Sequence, residues 1–251
     1  MADRLAQFAS SVHKALDNDY DFVVLIDGKE GVGKSTLAGW LKALFEGEWN
    51  LDHITYDGLD LLEDMNTAPS KTCLWMDEMK DAAYKRKFYS DLNIALAQAF
   101  GIVRSKNYFF ILNIPNYWDL DTDLRTRIDY RIYCEHKKRV RGYSSTYEII
   151  RTPWTKGNPY MELRWTYRFP AAPVEWYQEY YKFKSANQTK KMREYQQAAE
   201  GKGPERERRR TSRDAILKAL DTDPSQNLDL LAGELDVSPG YVKQIYKTHI
   251  H

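Results

Sequence analysis

Apolar residues up to Glu135 follow two patterns: short continuous runs, and stretches in which they recur every three or four positions. The first pattern predicts buried strands and the second predicts amphipathic helices. Because the two alternate along the chain, we predict an α/β fold with a mainly parallel sheet covered by helices. The predicted strands are 22–27, 53–56, 72–76, 108–113 and 130–135, and the predicted helices are 1–16, 35–45, 59–65 and 92–101.

The pattern changes after Lys137. Two segments rich in Tyr and Trp, 144–152 and 160–169, alternate in polarity around a Lys-Gly-Asn-Pro sequence, which predicts a β-hairpin. A helix is predicted over 173–197. Aromatic residues this dense belong more often to a core or a subunit interface, although they can also stack on single-stranded nucleic acid. They are Trp154, Tyr160, Trp165, Tyr167, Trp176, Tyr177, Tyr180 and Tyr181.

A basic segment separates this region from a small C-terminal one. Residues 198–213 have almost no apolar side chain to bury, which is typical of a flexible linker. Residues 214–251 contain three predicted helical segments. We therefore predict a large α/β domain over 1–197, a linker over 198–213 and a small all-α domain over 214–251.

Composition narrows the class of protein. The chain has 37 basic and 36 acidic residues, a net charge of +1, so affinity for nucleic acid must come from local patches. Cys73 and Cys134 both lie in apolar stretches and are interpreted as small buried hydrophobes in a reducing compartment. No apolar run is long enough for a membrane span, and no signal-peptide pattern is visible. We expect a cytoplasmic protein.

A phosphate-binding P-loop, Gly-Lys-Glu-Gly-Val-Gly-Lys-Ser-Thr, occupies positions 28–36 between a predicted strand and a predicted helix. That placement makes the motif specific, because the loop must join a buried strand to a helix N-terminus. Its glycines let backbone N–H groups face phosphate oxygens, and the positive end of the helix adds to the attraction. We expect ATP to contact Gly28, Lys29, Glu30, Gly31, Val32, Gly33, Lys34, Ser35 and Thr36.

Three side chains of the loop have distinct expected tasks. Lys34 reaches the β and γ phosphates and counts as catalytic. Ser35 supplies a hydroxyl to Mg²⁺, and Thr36 faces the α-phosphate. ATP and Mg²⁺ are therefore the expected cofactors.

Polar residues follow two further apolar strands. Asp77 and Glu78 come directly after Cys73-Leu-Trp-Met, where Asp77 is expected to hold Mg²⁺ and Glu78 to polarise the attacking water. An acidic turn after a buried strand is the plain alternative. Asn113 ends the strand 108–113, where it is expected to sense the γ-phosphate or orient water; the plain alternative is a cap of the turn before Pro115.

These motifs together resemble the additional-strand catalytic-glutamate division of P-loop ATPases, which includes RecA-like, AAA+ and FtsK/HerA enzymes. The resemblance covers about residues 20–185. The segments 104–115 and 124–132 look most like the small FtsK/HerA-type ATPases of viruses, plasmids and the zonular-occludens-toxin group. Those relatives often carry Gln where this chain has Asn113. Lys29 falls where ParA/MinD ATPases keep a signature lysine, but Glu30 and the Asp77-Glu78 pair are unlike that group.

The resemblance implies a homo-oligomer, because such ATPases commonly use an arginine from a neighbouring subunit over the γ-phosphate. Arg104, Arg125, Arg127 and Arg131 are the candidates. Any one of them is more often a surface or phosphate-contact residue. Arg125 and Arg127, beyond the strand that ends at Asn113, are the favoured choices.

The sequence from Leu228 to Lys247 has the spacing of a helix-turn-helix. Ala232 is small where two helices cross, Val237, Val242 and Ile245 are expected to be buried, and Ser238 caps the second helix before Pro239. Asp236 stands where Gly is common. The expected DNA contacts are Gly240, Tyr241, Lys243, Gln244 and Lys247 on the second helix, with Arg206, Arg208, Arg209 and Arg210 on phosphates. A three-helix module for protein contact is the alternative.

Two function classes follow. The first is a DNA-associated ATPase of a virus, plasmid or other mobile element, of motor, packaging or segregation type and stimulated by DNA. The alternative is a nucleotide-gated DNA-binding regulator or replication initiator with slow turnover. A small-molecule kinase fits less well, because of the Asp77-Glu78 pair and the predicted DNA-binding module.

Overall fold

The computed structural model describes residues 2–79, 91–138, 140–151, 159–199, 213–221, 227–235 and 239–250. The chain divides into two compact units, Met1–Tyr181 and Lys182–His251. The division falls inside a long helix, Val174–Ala199, and so lies before the predicted linker at 198–213. The described part of the first unit contains five α-helices, seven strands and the first turns of that long helix.

The helices of the first unit are α1 (Ala2–Asp17), α2 (Lys34–Glu46), α3 (Gly58–Thr67), α4 (Asp91–Ile102), α5 (Thr122–Arg125) and the start of α6 (Val174–Ala199). The strands are β1 (Phe22–Asp27), β2 (Ile54–Thr55), β3 (Cys73–Met76), β4 (Phe109–Asn113), β5 (Tyr130–Lys137), β6 (Val140–Ile150) and β7 (Tyr160–Arg168). All the strands and helices predicted up to Glu135 are present, with ends shifted by a few residues.

The seven strands form one sheet in the order β2-β3-β4-β1-β5-β6-β7. The pairs β2–β3, β3–β4, β4–β1 and β1–β5 are parallel, which confirms the mainly parallel α/β fold. β4 lies between the P-loop strand β1 and the carboxylate strand β3. The carboxyl ends of these three strands therefore meet at one edge of the sheet.

The predicted hairpin is part of a larger antiparallel extension. β6 pairs with β7 as expected, but it begins at Val140 and also pairs with β5. The connection between β5 and β6 contains no Gly or Pro. Lys138 takes the left-handed backbone conformation there instead, with φ of 50°. Without a turn residue to mark it, this hairpin was missed in the sequence.

Helices cover both faces of the parallel strands, and this explains why β1, β3 and β4 are buried along their whole length. On one face, Phe8 of α1 and Phe45 of α2 pack on the strand residues Phe22 and Phe109, with ring centroids 5.6 and 5.1 Å apart. On the other face, α3 and α4 bury Leu61, Met65, Leu96 and Phe100 against Val23, Leu25, Leu74, Phe110 and Leu112.

The first turns of α6 are held by aromatic packing. Tyr180 stacks between Trp75 of β3 and Trp176, with centroid distances of 5.4 and 5.1 Å. The Trp176 indole also donates a hydrogen bond to the Asn50 carbonyl at 3.0 Å. Trp176 and Tyr180 thus belong to a packed core, whereas Tyr177 is exposed. Trp154 lies outside the described residues.

The second unit is all-α in the described part. After the remainder of α6 come helix α7 (213–221), α8 (Leu228–Glu234) and α9 (Pro239–Ile250). Its core consists of Ile216, Leu220, Leu231, Ala232, Val242 and Ile245, which confirms the predicted inward positions of the last three. The predictions for Asp236, Val237 and Ser238 lie outside the described residues. No helix in the described ranges is long and apolar enough to span a membrane.

Candidate active site at the carboxyl ends of the strands

The P-loop joins β1 to α2 over residues 28–33. Gly28 has φ of 139°, and a Cβ there would lie 2.2 Å from the Cys134 carbonyl oxygen, so no side chain fits. Gly33, the residue before α2, has φ of 103°. Lys29, Glu30 and Gly31 are exposed, while Val32 is buried. The glycines therefore supply both the left-handed backbone and the close approach that the loop requires.

Lys34, the first residue of α2, folds back onto its own loop. Its ammonium donates to the carbonyl oxygens of Gly28 and Lys29 at 2.7 and 2.9 Å. These contacts fix the curl of the loop and hold a positive charge over it. Thr36 is half-buried in the first turn of the same helix.

Asp77, directly after β3, contacts two other predicted site residues, Ser35 and Asn113. Its carboxylate is almost completely buried, at 1% exposure. The Ser35 hydroxyl lies 3.3 and 3.2 Å from its two oxygens, and the Asn113 amide donates to Oδ1 at 2.7 Å. The parallel pairing of β3 with β4, and of β4 with β1, produces this meeting of side chains that are far apart in sequence.

Two tyrosines that sequence reasoning missed complete the surroundings of Asp77. The Tyr56 hydroxyl, just after β2, donates to Oδ2 at 2.9 Å, and the Tyr180 hydroxyl of α6 donates to the same oxygen. Burial, followed by the Asp77 charge, raises the pKa of both phenols far above the usual value, so both remain proton donors. No local pattern marks either tyrosine, since only the fold brings them to Asp77.

Glu78 adopts a strained backbone. Its φ is 65°, in the left-handed region, which costs a non-glycine residue on the order of 1 kcal/mol. The next residue, Met79, donates its N–H to the Asn113 carbonyl at 2.9 Å and so anchors the turn to β4. The half-buried Glu78 is therefore held at the same edge of the sheet as Asp77 and Asn113.

The amide nitrogen of Asn113 is committed to a hydrogen bond, whereas its amide oxygen is available. Its Nδ2 is bound to Asp77, which fixes the orientation of the amide. Its Oδ1 is buried and finds no hydrogen-bond partner within the part of the chain that the structure describes. A buried acceptor of this kind fits a water molecule or a ligand donor.

The side chains at this point also fit Mg²⁺, which prefers oxygen ligands. The Ser35 hydroxyl and the Asp77 carboxylate lie 3.2 Å apart on adjoining elements. Among the described residues no three His, Cys, Asp or Glu side chains are grouped to hold a metal by themselves. Ser35 and Asp77 are the side chains that would hold the ion here.

The four candidate arginines differ in their surroundings. Arg131 forms a bidentate ion pair with the buried Asp27 at the end of β1, at 2.9 and 2.7 Å, and is thereby committed within its own chain. Arg125 donates to Thr122 at 3.0 Å and lies 5.8 Å from the centroid of the half-exposed Trp118.

Arg127 is exposed, and its charge, like that of Arg104, acts on Asp21, the residue before β1. Both arginines thus lie toward the amino end of the strands. Arg125 is nearer the carboxyl end, because it also approaches Tyr117, whose N–H donates to Asp27 at 3.1 Å. A role for Arg125 or Arg127 in a neighbouring subunit stays a prediction.

Most of the predicted DNA contacts on α9 face solvent. Gly240, Lys243, Gln244 and Lys247 are exposed, whereas Tyr241 is half-buried against the core of the second unit. Lys243 forms an exposed ion pair with Asp229 of α8 at 2.7 Å. The predicted phosphate contacts Arg206, Arg208, Arg209 and Arg210 lie outside the described residues, so DNA binding stays a prediction.

Comparison with known proteins gives weak similarities only. No family model and no curated protein match the chain. Among solved structures, the genome packaging NTPase from Sulfolobus turreted icosahedral virus 2 in complex with sulfate is 13% identical, with 51% of this chain and 91% of that chain covered and a TM-score of 0.38. The N-terminal domain of zonular occludens toxin from Neisseria meningitidis is 15% identical, with 63% and 98% covered and a TM-score of 0.39.

The DNA-packaging ATPase from Sulfolobus turreted icosahedral virus is 13% identical, with 52% of this chain and 93% of that chain covered and a TM-score of 0.39. Similarity at this level carries no argument about the present chain. Its function has to be inferred from its own site.

Proposed function

We propose that this protein is an ATPase that hydrolyses ATP at the edge of the sheet where β1, β3 and β4 end. One observation carries the proposal: buried Asp77 contacts the P-loop Ser35 at 3.2 Å and Asn113 of the intervening strand at 2.7 Å. An acidic turn with only a structural task would not need the P-loop hydroxyl and a buried strand-end amide on the same carboxylate.

The loop and its lysine bind and orient the triphosphate. Backbone N–H groups of residues 28–36 face the phosphate oxygens, and the Lys34 ammonium exchanges its carbonyl partners for the β and γ phosphates. Ser35 and Asp77 would hold Mg²⁺, which would neutralise charge on the phosphates.

Glu78 and Asn113 act on the attacking water. Glu78 accepts the proton as the water attacks the γ-phosphorus, and the bond to the β-γ bridging oxygen breaks to give ADP and phosphate. Asn113 orients the same water through Oδ1, the acceptor that its bond to Asp77 leaves available.

The work done with ATP is proposed to concern DNA in a virus, plasmid or other mobile element, in the cytoplasm. Exposed Lys243, Gln244 and Lys247 on α9 support a DNA-binding second unit. A homo-oligomer in which Arg125 or Arg127 completes the neighbouring site would make turnover depend on assembly, and DNA would stimulate it. Arg125 is the better supported of the two, because it lies nearer the carboxyl ends of the strands.

Substitution of Lys34 by Ala tests the site. We expect ATP hydrolysis to fall by at least about a hundredfold, because the ammonium that stabilises charge on the transferred phosphoryl group is lost. Phosphate release, measured with and without long double-stranded DNA, is the readout. Lys14→Ala, on the exposed side of α1, is the matched control and should leave turnover unchanged.

Full hydrolysis by Lys34→Ala would contradict the site. Tight nucleotide binding by the unsubstituted protein with negligible turnover, even on DNA, would instead favour the nucleotide-gated regulator over a motor.

A further inference from the structure

The hydroxyl of Tyr180 lies against both residues that the proposed site assigns to Mg²⁺. It donates to Asp77 Oδ2 and also forms a hydrogen bond with the Ser35 hydroxyl. The Tyr56 hydroxyl lies 3.0 Å from it and donates to the same carboxylate oxygen. Tyr180 comes from α6, which is not one of the strands or loops that form the site.

The carboxylate of Asp77 is crowded by donors from the described residues. Each oxygen of an ionised carboxylate offers about two lone-pair positions. Oδ2 accepts from both Tyr56 and Tyr180, Oδ1 accepts from Asn113, and the Ser35 hydroxyl lies 3.2 Å from Oδ2. With Asp77 only 1% exposed, a cation or its bound water can reach the carboxylate only if a present donor leaves.

Tyr180 is the donor that can leave with least disturbance to the sheet. Ser35 and Asn113 belong to α2 and β4, and Tyr56 directly follows the sheet strand β2. Tyr180 is held on a helix whose neighbouring residues Tyr177 and Tyr181 are 48% and 61% exposed. Tyr180 is held by its hydroxyl contacts and by the stack with Trp75 and Trp176, and Trp176 in turn donates to the Asn50 carbonyl.

We propose that Tyr180 is a latch: in this structure its hydroxyl occupies Asp77 and Ser35, and binding of Mg²⁺ with nucleotide displaces it and loosens the start of α6. The latch rests on the proposed function. Because α6 continues to Ala199, past the start of the second unit at Lys182, the displaced segment belongs to the helix that leads into that unit. Occupancy of the nucleotide site would thus alter that helix directly.

A purely positioning role for Tyr180 makes the opposite prediction. A hydroxyl that only orients Asp77 should assist Mg²⁺ binding, so its removal should weaken binding of the nucleotide complex. A latch competes, so its removal should strengthen that binding.

The test is Tyr180→Phe in the full chain, which keeps the ring in its stack and removes only the hydroxyl. Affinity for a fluorescent non-hydrolysable ATP analogue is measured with Mg²⁺ and with EDTA. We expect about tenfold tighter binding in Mg²⁺, the effect of losing one competing hydrogen bond to a charged group, and no change in EDTA. Tyr181→Phe, which removes an exposed hydroxyl from the next position, is the control and should change neither affinity.

A second measurement uses the unsubstituted protein and does not depend on the variant folding. Backbone hydrogen exchange over residues 174–181 should rise when Mg²⁺ and the analogue are added together, and should not rise with the analogue in EDTA. Unchanged or weaker Mg²⁺-dependent binding by Tyr180→Phe would overturn the latch, as would unchanged or slower exchange in the unsubstituted protein.

These measurements distinguish failure of the proposed nucleotide site from failure of the proposed latch. If neither the unsubstituted protein nor Tyr180→Phe binds the analogue under any condition, the nucleotide site itself is wrong and the latch falls with it. If the unsubstituted protein binds the analogue with Mg²⁺ and Lys34→Ala does not, the site holds and the two latch measurements decide on Tyr180 alone.

Discussion

At the scale of single residues, a buried carboxylate needs donors on both of its oxygens. Transfer of an ionised carboxylate out of water costs several kcal/mol, and hydrogen bonds to a charged group return about 1.5–3 kcal/mol each. Asp77 receives such bonds on Oδ1 from Asn113 and on Oδ2 from Tyr56. Glu78, one residue further, is half-buried and has a φ of 65°, so a second acidic residue lies at the same edge.

Glu78→Gln separates binding from hydrolysis. The amide keeps the size of the side chain but cannot accept the proton of the attacking water, so turnover should fall by about 10²–10⁴-fold. Nucleotide affinity should stay within about twofold, because the loop and Lys34 are unchanged. Single-turnover phosphate release and analogue binding are the two measurements.

Glu48→Gln, an exposed carboxyl just after α2, controls for the loss of one negative charge and should hydrolyse normally. Normal turnover by Glu78→Gln would place the general base elsewhere.

Residue identities at the site divide into those with a local signal and those without one. The P-loop, Asp77 and Asn113 were predicted because each directly follows an apolar run that reads as a strand. Tyr56 and Tyr180 were not, because they are 124 positions apart and meet only through the sheet order and the docking of α6. Of the predicted aromatic cluster, Trp176 and Tyr180 lie in a core, whereas Tyr160, Tyr177 and Tyr181 are exposed. The density of aromatic residues gave no sign that the Tyr180 hydroxyl reaches a carboxylate.

At the scale of elements, α6 docks where α2 has no side chain. Gly39 lies in the middle of α2, and a Cβ there would lie 2.6 Å from the Trp176 ring. The ring fills the resulting space and stacks on Tyr180. The glycine weakens α2 as a helix, but it makes room for α6 to contact α2. The sequence predicted both helices but not this contact, because nothing local to Gly39 distinguishes a packing glycine from any other.

Gly39→Ala and Gly101→Ala should therefore change stability in opposite directions. Both glycines lie within helices, where alanine is favoured by about 0.5–1 kcal/mol. At Gly101 in α4 the described neighbour that the new methyl would meet is an arginine nitrogen at 3.5 Å, an ordinary contact, so we expect the protein to gain stability. At Gly39 the methyl must displace Trp176, and overpacking typically costs about 1–3 kcal/mol, so we expect a net loss.

Thermal or denaturant unfolding measures both variants, and tryptophan emission reports the displacement of Trp176 in Gly39→Ala. Equal gains in stability by the two variants would mean that the α6 contact yields without cost.

At the scale of the whole molecule, each unit has a hydrophobic core of its own. In the described part of the chain, the buried core residues of the second unit all come from α7, α8 and α9. The large core under α3 and α4 draws its residues from the sequence up to Met161. This division was foreseeable, because the basic segment 198–213 cannot bury itself and the last 38 residues carry their own helical periodicity. The boundary inside α6 was not foreseeable, since a continuous helix gives no local sign of where its contacts change.

Two separate cores allow the DNA-binding role to be tested by deletion. Removal of residues 203–251 takes away the whole second-unit core cluster and none of the first, so the ATPase unit should stay folded. We expect DNA affinity at constant salt to fall by at least about tenfold, because the exposed Lys243 and Lys247 and the basic linker are lost together. ATP hydrolysis without DNA should be retained.

The same role can be tested without removing the unit. Lys243→Glu combined with Lys247→Glu reverses two exposed charges on α9, and should weaken DNA binding and lower its salt dependence by about one to two phosphate contacts. Lys14→Glu on α1 is the matched charge control. Fluorescence anisotropy of labelled DNA across a salt series measures all three proteins.

Since Lys243 pairs with Asp229 at 2.7 Å, circular dichroism should accompany the double variant to show that α8 and α9 remain packed. Unchanged DNA binding by both the deletion and the double variant would mean that any contact with DNA is made by the sheet unit, and the three-helix unit would then be better explained as a module for protein contact.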